Sequence, residues 1–370
     1  MSLRVLLTAD AVGGVWQYAT DLARGLAALG HEPVVALTGP APSDAQRAEA
    51  AGLELIETGL PLDRLAETPG EAARAARRMA DIAGDLGCDA AQLNAPALAD
   101  AEYPCPTVAV AHSCLATWWA AVKRDEVLPE AFAWRNALHR DGLRAADAVV
   151  TPSLAFARAT RAAHGLCALP QVVHNGRRPL PVVAAAPHDF AFTAGRLWDE
   201  GKDVARLDRA AARLAVPFKA AGPLAGPDGT AVRFDHLHAL GRVDEAELAG
   251  ILSARPVFAS AARYEPFGLA VLEAAQAGCP LVLSDTPTFR ELWDGAARFA
   301  TAGDEAGFAG AIETLVGDEA MRRAAGTVAA ERAQVYTVEA MAGRMAELYR
   351  RLAPARRFAA ARAARAEAAA

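Results

Sequence analysis

The sequence predicts an α/β protein made of two doubly wound halves in tandem, on three observations. The N-terminus reads strand, glycine loop, helix, strand; the same series starts again at Phe190; and between them lies a proline-rich stretch without periodicity, residues 177–189. The 370 residues suffice for two ordinary domains, and a hydrophobic content of 53% supplies their cores. A net charge of −6 gives no drive toward nucleic acid or an anionic membrane. The five cysteines are scattered, and no pair has C-x-x-C spacing, so neither a zinc site nor a disulfide framework is expected. That usage favours a reducing, cytoplasmic setting. No signal-type segment opens the chain, and no apolar run is long enough to span a bilayer.

Arg4 to Thr8 is a buried strand. Asp10-Ala-Val-Gly13-Gly14 follows, then a helix from about Trp16 to Leu29 closed by Gly30, and a strand from His31 to Leu37. The loop lacks the G-x-G-x-x-G dinucleotide fingerprint. Gly13 and Gly14 can still bring backbone N–H groups to an anion at the helix start. Glu71 to Gly87 is helical, and Asp89–Leu93 and Pro106–Ala111 are strands. The second ends at His112. In α/β sheets ligands bind beyond the carboxyl ends of strands, so His112 reads either as a ligand contact or as a structural histidine. Trp118-Trp119 comes next. Leu128–Arg144 and Ser153–His164 are helices, and Ala148–Thr151 and Gln171–His174 strands.

In the second half a strand at Phe190–Thr193 runs into Gly195-Arg196-Leu-Trp-Asp-Glu-Gly-Lys202, followed by a helix over Asp203–Leu214. Arg196 and Lys202 thus put two cations on one strand-to-helix loop, an arrangement suited to a diphosphate. Val216–Gly222 and Arg233–Leu240 are strands, and Gly241-Arg242-Val243 precedes a helix at Asp244–Ser253. Pro256–Ala259 leads into the most informative stretch, Tyr264 to Pro280, YEPFGLAVLEAAQAGCP. Glu265 and Glu273 flank a turn, Pro266–Leu269, that opens a helix ended by Gly278. The amides of Phe267, Gly268 and Leu269 at that start attract an anion. Helical side chains lean toward the N-terminus, so the Glu273 carboxylate reaches back beside a bound group. A phosphate would repel it, so hydroxyls, most naturally a ribose, are its expected partner. Asp304–Ala333 forms two helices and Thr337–Leu352 a last one, with Val338, Met341, Met345, Leu348 and Tyr349 on one face and Pro354 as its end. The tail over 353–370 is basic and alanine-rich and reads as a frayed, solvated helix.

The stretch from Glu265 to Glu273 resembles the E-x7-E signature of the retaining nucleotide-sugar glycosyltransferases of family 4, which have the GT-B fold. Further likenesses are Gly13-Gly14 in the first loop, Asn175-Gly176 before the crossover, Gly195–Lys202 as a "GRL…K" element, and Gly241–Val243. The resemblance implies two Rossmann-like domains facing across a cleft. The expected boundaries are 1–180, completed by helix 337–352, for the acceptor side and 181–336 for the donor side.

It also implies roles. Arg196 and Lys202 grip the donor diphosphate together with the amides at 267–269. Arg242 and Val243 hold the nucleobase, Glu273 the ribose, and His112 approaches the donor sugar. Glu265 holds donor hydroxyls or stabilises positive charge at the anomeric carbon. Trp118 and Trp119 read either as packing or a lid, or as an aromatic platform for a sugar acceptor. The expected donor is a nucleoside-diphosphate sugar such as a UDP- or GDP-sugar, with no further cofactor. No Asp-x-Asp pair for a divalent metal is evident, and the resemblance implies a hexosyltransferase, here expected to be metal-independent. The alternatives are a sugar-nucleotide epimerase or phosphorylase on the same frame, or an inactive subunit that binds nucleotide sugars. Neither nucleic acid nor a transmembrane segment enters, and one Phe358 in the tail does not make a peripheral membrane anchor.

Overall fold

Two all-parallel sheets carry the chain in the computed structural model, which describes residues 2–61, 66–181, 183, 188–226 and 229–367. The first holds β1 (Arg4–Asp10), β2 (Glu32–Thr38), β3 (Glu54–Glu57), β4 (Ala90–Leu93), β5 (Thr107–Val110), β6 (Ala148–Thr151) and β7 (Gln171–Val172). Their order is β3-β2-β1-β4-β5-β6-β7. The second holds β8 (Ala191–Ala194), β9 (Phe218–Ala221), β10 (His238–Gly241), β11 (Val257–Ser260), β12 (Leu281–Ser284) and β13 (Arg298–Ala300), in the order β10-β9-β8-β11-β12-β13. In each sheet the strand order reverses beside the first strand. The switch points, where doubly wound sheets take ligands, therefore lie beyond the carboxyl ends of β1/β4 and of β8/β11.

The chain divides into two compact units: Met1–Thr117, Glu126–Gly176 and Val338–Ala370 form one, Trp118–Asp125 and Arg177–Thr337 the other. In the first, Trp16, Tyr18, Leu22 and Leu26 of the helix Gly14–Ala28 pack with Met341, Met345 and Tyr349 of the last helix, all at most 2% exposed. The two helices approach closely at Gly25, where an added Cβ would stand 2.6 Å from Ala342 Cβ. In the second unit, Phe192, Phe258, Leu272, Phe289 and Trp293 fill one face of the sheet, and Leu207, Phe218, Phe308 and Ile312 the other.

Several elements differ from expectation. The short helix Asp44–Glu49, strand β3 and the helix Leu115–Val122 were not foreseen. The helix expected over Leu128–Arg144 starts only at Ala133, after a 3-10 turn at Glu130–Phe132, because Pro129 favours an extended neighbour. The strand expected over Arg233–Leu240 shrinks to β10. The Asp208 carboxylate accepts from the amides of Asp235, His236 and Leu237 at 3.3, 2.9 and 2.8 Å, taking donors a longer ladder would use. Pro354 does not end the last helix, which runs over Val338–Glu367. The alanine-rich sequence beyond it has high helix propensity, which favours continuation despite the lost N–H bond. Within the expected linker, residues 182 and 184–187 lie outside the described residues, as do 368–370 of the tail. No helix among the described residues is long and apolar enough to cross a membrane.

Candidate functional site

In the second unit the loop after β8 and the loop after β11 meet. The Gly201 carbonyl accepts from the amides of Arg263 and Tyr264 at 2.9 and 3.1 Å, which ties the two loops together. Gly201 itself admits no side chain: a Cβ would lie 2.8 Å from Trp118 Nε1 and 3.0 Å from Asp199 Oδ1. Lys202 ends a 3-10 turn over Glu200–Lys202, and its Nζ pairs with Glu265 Oε2 at 2.5 Å. Both side chains are largely buried, 21% and 15% exposed. An ammonium has three donors, so the pair leaves capacity for an anion.

Arg196 is organised by a residue that sequence reasoning passed over. Asp199 Oδ2 accepts from Arg196 Nη2 at 2.7 Å and Nε at 3.2 Å. Its Oδ1 accepts from the Gly201 amide at 2.8 Å and from the Trp118 indole at 3.1 Å. Burial pushes the Asp199 carboxyl up, but the Arg196 charge and these hydrogen bonds outweigh it and hold it below the usual carboxylate range. Trp118, which the sequence left between packing and an acceptor platform, thus carries its indole N–H to this carboxylate. Trp119 lies beside it, with ring centroids 6.0 Å apart.

The helix Leu269–Gln276 opens at Gly268, whose φ of 97° is left-handed, and no side chain caps it. Its far end closes as a Schellman motif: the Gly278 amide bonds Ala275 O at 2.9 Å and the Cys279 amide bonds Ala274 O at 3.0 Å. Phe267 is buried against Tyr336, edge to face at 5.6 Å, which fixes the turn before the helix. Glu273 meets Arg177, Nε to Oε1 at 2.7 Å, with side chains 12% and 4% exposed. In the sequence Arg177 is only the first residue of the expected linker over 177–189. Its carbonyl also takes a 2.8 Å bond from Gln276. Arg242 is exposed and Val243 partly buried on the loop after β10, on the edge of the sheet.

In the first unit, Gly13 is the extended N-cap of the helix that begins at Gly14. At the end of β1, Asp10 accepts from the Val12 amide at 2.9 Å and shapes this loop. His112 follows β5. Its Nε2 lies 3.0 Å from Asn94 Oδ1, an acceptor, so that nitrogen carries the proton. Its ring stands edge-on to Tyr18 at 4.4 Å. Burial lowers its pKa to about 4, so it is neutral near pH 7. Asn94 is itself held by Thr8, amide to Oγ1 at 2.8 Å, and by Gln92 Nε2 at 3.0 Å. Tyr349 of the last helix bonds Gln92 in turn. Asn94 and Gln92 are not legible as site residues in the sequence, because apart from each other their partners, Thr8, His112, Tyr18 and Tyr349, are distant along the chain.

Residues 12–179 match Glycosyltransferase Family 4, and residues 188–318 match Glycosyl transferases group 1. The chain belongs to the family 4 glycosyltransferases. Among curated proteins, this glycosyltransferase is 32% identical over 122 residues to a phosphatidyl-myo-inositol mannosyltransferase of Mycobacterium leprae (strain TN). That match covers 32% of this chain and 33% of the relative, so the chain spans about a third of the mannosyltransferase it matches. Among solved structures, sucrose-phosphate synthase from Thermosynechococcus elongatus is similar at a TM-score of 0.74 and 20% identity, over 95% of this chain and all of the other. HepE from Anabaena, in complex with UDP and glucose, is similar at a TM-score of 0.72 and 18% identity, over 94% of this chain and 99% of that one. These likenesses establish the GT-B fold.

Proposed function

We propose that this chain is a retaining glycosyltransferase that moves a hexose from a nucleoside-diphosphate sugar to an acceptor hydroxyl without a divalent metal. The observation that carries the reading is the meeting, beyond the ends of β8 and β11, of the Lys202–Glu265 pair and Arg196 in one unit with the Gly268 helix start. Leaving-group departure puts negative charge on the β-phosphate of the donor. Fixed cations and a helix start are the groups that stabilise such charge without reorganisation. The UDP and glucose of the Anabaena complex support a nucleotide-sugar donor such as a UDP- or GDP-sugar, and the naming of the relative as a mannosyltransferase supports a hexose as the group moved.

In this reading Arg196 and Lys202 hold the diphosphate with the amides at 267–269. Glu273, oriented by Arg177, takes the ribose hydroxyls, and Arg242 and Val243 serve the base. Glu265 faces the sugar, where it holds hydroxyls or offsets positive charge at the anomeric carbon. The neutral His112, with its proton held on the Asn94 side, offers Nδ1 as an acceptor to a sugar hydroxyl. Gly13 and Gly14 contribute backbone donors, and Trp119 offers an aromatic face to the acceptor. The anomeric carbon–phosphate bond breaks while the acceptor oxygen bonds to the same face, and the acceptor proton passes to the departing phosphate oxygen.

A panel of UDP-, GDP- and ADP-sugars tests this. One donor class should bind by calorimetry, and nucleoside diphosphate should appear faster when a hydroxyl acceptor is added. Binding of no nucleotide sugar, or conversion of the donor without release of nucleoside diphosphate, would overturn the reading.

A further inference from the structure

The sequence has no metal-ligand spacing, yet the first unit gathers three soft or borderline ligands from three elements. Cys114 follows β5, His139 lies in the helix Ala133–Ala145, and His164 is the last residue of the helix Leu154–His164. One donor atom from each falls within 4.8 Å of the others. Cys114 Sγ lies 3.3 Å from His164 Nε2. Around a tetrahedral zinc ion, a sulfur at about 2.3 Å and a nitrogen at about 2.0–2.1 Å stand roughly 3.5 Å apart. The pair is therefore already at ligand-to-ligand spacing.

Cys114 Sγ also accepts from the Thr117 amide at 3.4 Å and meets Thr117 Oγ1 at 2.9 Å, whereas ordinary packing does not account for the two histidines. Cys114 and His164 are 7% and 2% exposed. A buried structural histidine normally bonds oxygen through its ring nitrogens. Here His164 Nε2 faces sulfur, while His164 Nδ1 and His139 Nε2 are buried without hydrogen-bond partners. The two imidazoles lie 5.1 Å apart, centroid to centroid, with their planes 31° apart. Burial also holds both neutral, with pKa values lowered to about 3 for His139 and about 4 for His164, so no proton competes for their lone pairs near pH 7. Arg140 and Arg144 stand near His164 and oppose a bare cation; a thiolate ligand offsets one positive charge.

We propose that Cys114, His139 and His164 form a zinc site. Two imidazoles and one thiolate are a donor set that suits Zn²⁺, with the fourth position open to water. Binding exchanges the Cys114 proton for the metal: the S–H bond breaks, a sulfur–zinc bond forms, and the proton leaves to solvent. The ion would clip the segment after β5, two residues beyond His112, to two helices. It is separate from the Arg196–Lys202–Gly268 cluster and does not depend on the reading of that cluster.

The test uses the full chain loaded with one equivalent of Zn²⁺, desalted, and assayed by elemental analysis and by competition with a chromophoric chelator. One zinc per chain is expected. Cys114→Ser and His139→Gln should each weaken retention at least tenfold, and Zn²⁺ should raise Tm in the parent but not in these variants. Cys167, the exposed thiol, serves as control, and Cys167→Ser should change nothing. Co²⁺ loading should give a thiolate-to-cobalt charge-transfer band that Cys114→Ser abolishes. If Cys114→Ser fails to fold, His139→Gln at its half-buried position gives the same reading. No retained zinc, or equal retention in the parent and the His139→Gln variant, overturns the proposal.

Discussion

Replacing Glu273 by glutamine separates nucleotide recognition from diphosphate recognition. The carboxylate lies on the second turn of the helix Leu269–Gln276, and one oxygen is held by Arg177 at 2.7 Å. Glutamine keeps the shape and can still accept from Arg177, but it loses the charge. A hydrogen bond to a charged group contributes about 1.5–3 kcal/mol, which corresponds to roughly ten- to over a hundredfold in dissociation constant. That loss should appear with a nucleoside diphosphate, which contains the ribose, and not with inorganic pyrophosphate, which lacks it. Global stability should fall as well, because the buried Arg177 guanidinium loses the nearer carboxylate and keeps Glu245, 3.9 Å away. Arg177→Gln should therefore lower Tm in the same direction and weaken nucleoside diphosphate less than Glu273→Gln does. Calorimetry with both ligands, beside thermal unfolding, decides the matter. Equal loss for pyrophosphate and nucleoside diphosphate, or no loss for either, would refute the assignment of Glu273 to the ribose.

Arg196→Ala and Lys202→Ala should each reduce turnover by about 10²–10³, the range for losing one donor to developing oxyanion charge; wild-type rates in both would remove the clamp. Asp199→Asn should weaken diphosphate binding by about tenfold or more, since it disturbs the carboxylate that receives Arg196, Gly201 and Trp118; unchanged or tighter binding would show that Asp199 restrains Arg196 rather than orienting it. Turnover should persist in excess EDTA, and loss restored by Mg²⁺ or Mn²⁺ would contradict metal independence; rescue by Zn²⁺ alone would instead report on the Cys114 cluster. The folded pKa of His112, about 4, lies below the ordinary value of 6.5, so the unfolded chain takes up its proton first. The neutral, partly buried histidine should therefore lend stability that is complete above pH 6.5 and declines as pH falls toward 4. Denaturant titrations across that window should show a smaller slope with pH in His112→Gln, and an unchanged slope would place the linkage elsewhere.

Most of the fold was legible because period and punctuation agree. Arg4–Thr8, Pro106–Ala111 and Ala148–Thr151 are apolar runs too short for helices, and they fall on β1, β5 and β6. Gly278 signalled its helix end and does adopt φ 78°. The one-sided apolar face of the last helix was readable, and Met341, Met345 and Tyr349 are buried. What escaped depends on partners distant in sequence. Strand β3 is short and half-polar, and it pairs only along β2, at the edge of its sheet. The shortening at Arg233–Leu237 comes from the side chain of Asp208. Cations and carboxylates were named singly, as Arg196, Lys202, Glu265 and Glu273. Their pairing, and the entry of Asp199 and Arg177, arises from loops joined through Gly201 and from a chain segment read as linker. The Cys114, His139 and His164 cluster escaped for the same reason, since it has no short spacing.

The most direct test of the account is the configuration of the first sugar released. With an accepted nucleoside-diphosphate sugar and water or an alcohol as acceptor, early proton NMR spectra report the anomer before mutarotation. The account predicts nucleoside diphosphate and a product with the anomeric configuration of the donor, formed in the presence of EDTA. An inverted anomer, or a nucleotide sugar epimerised with its diphosphate still attached, would contradict it.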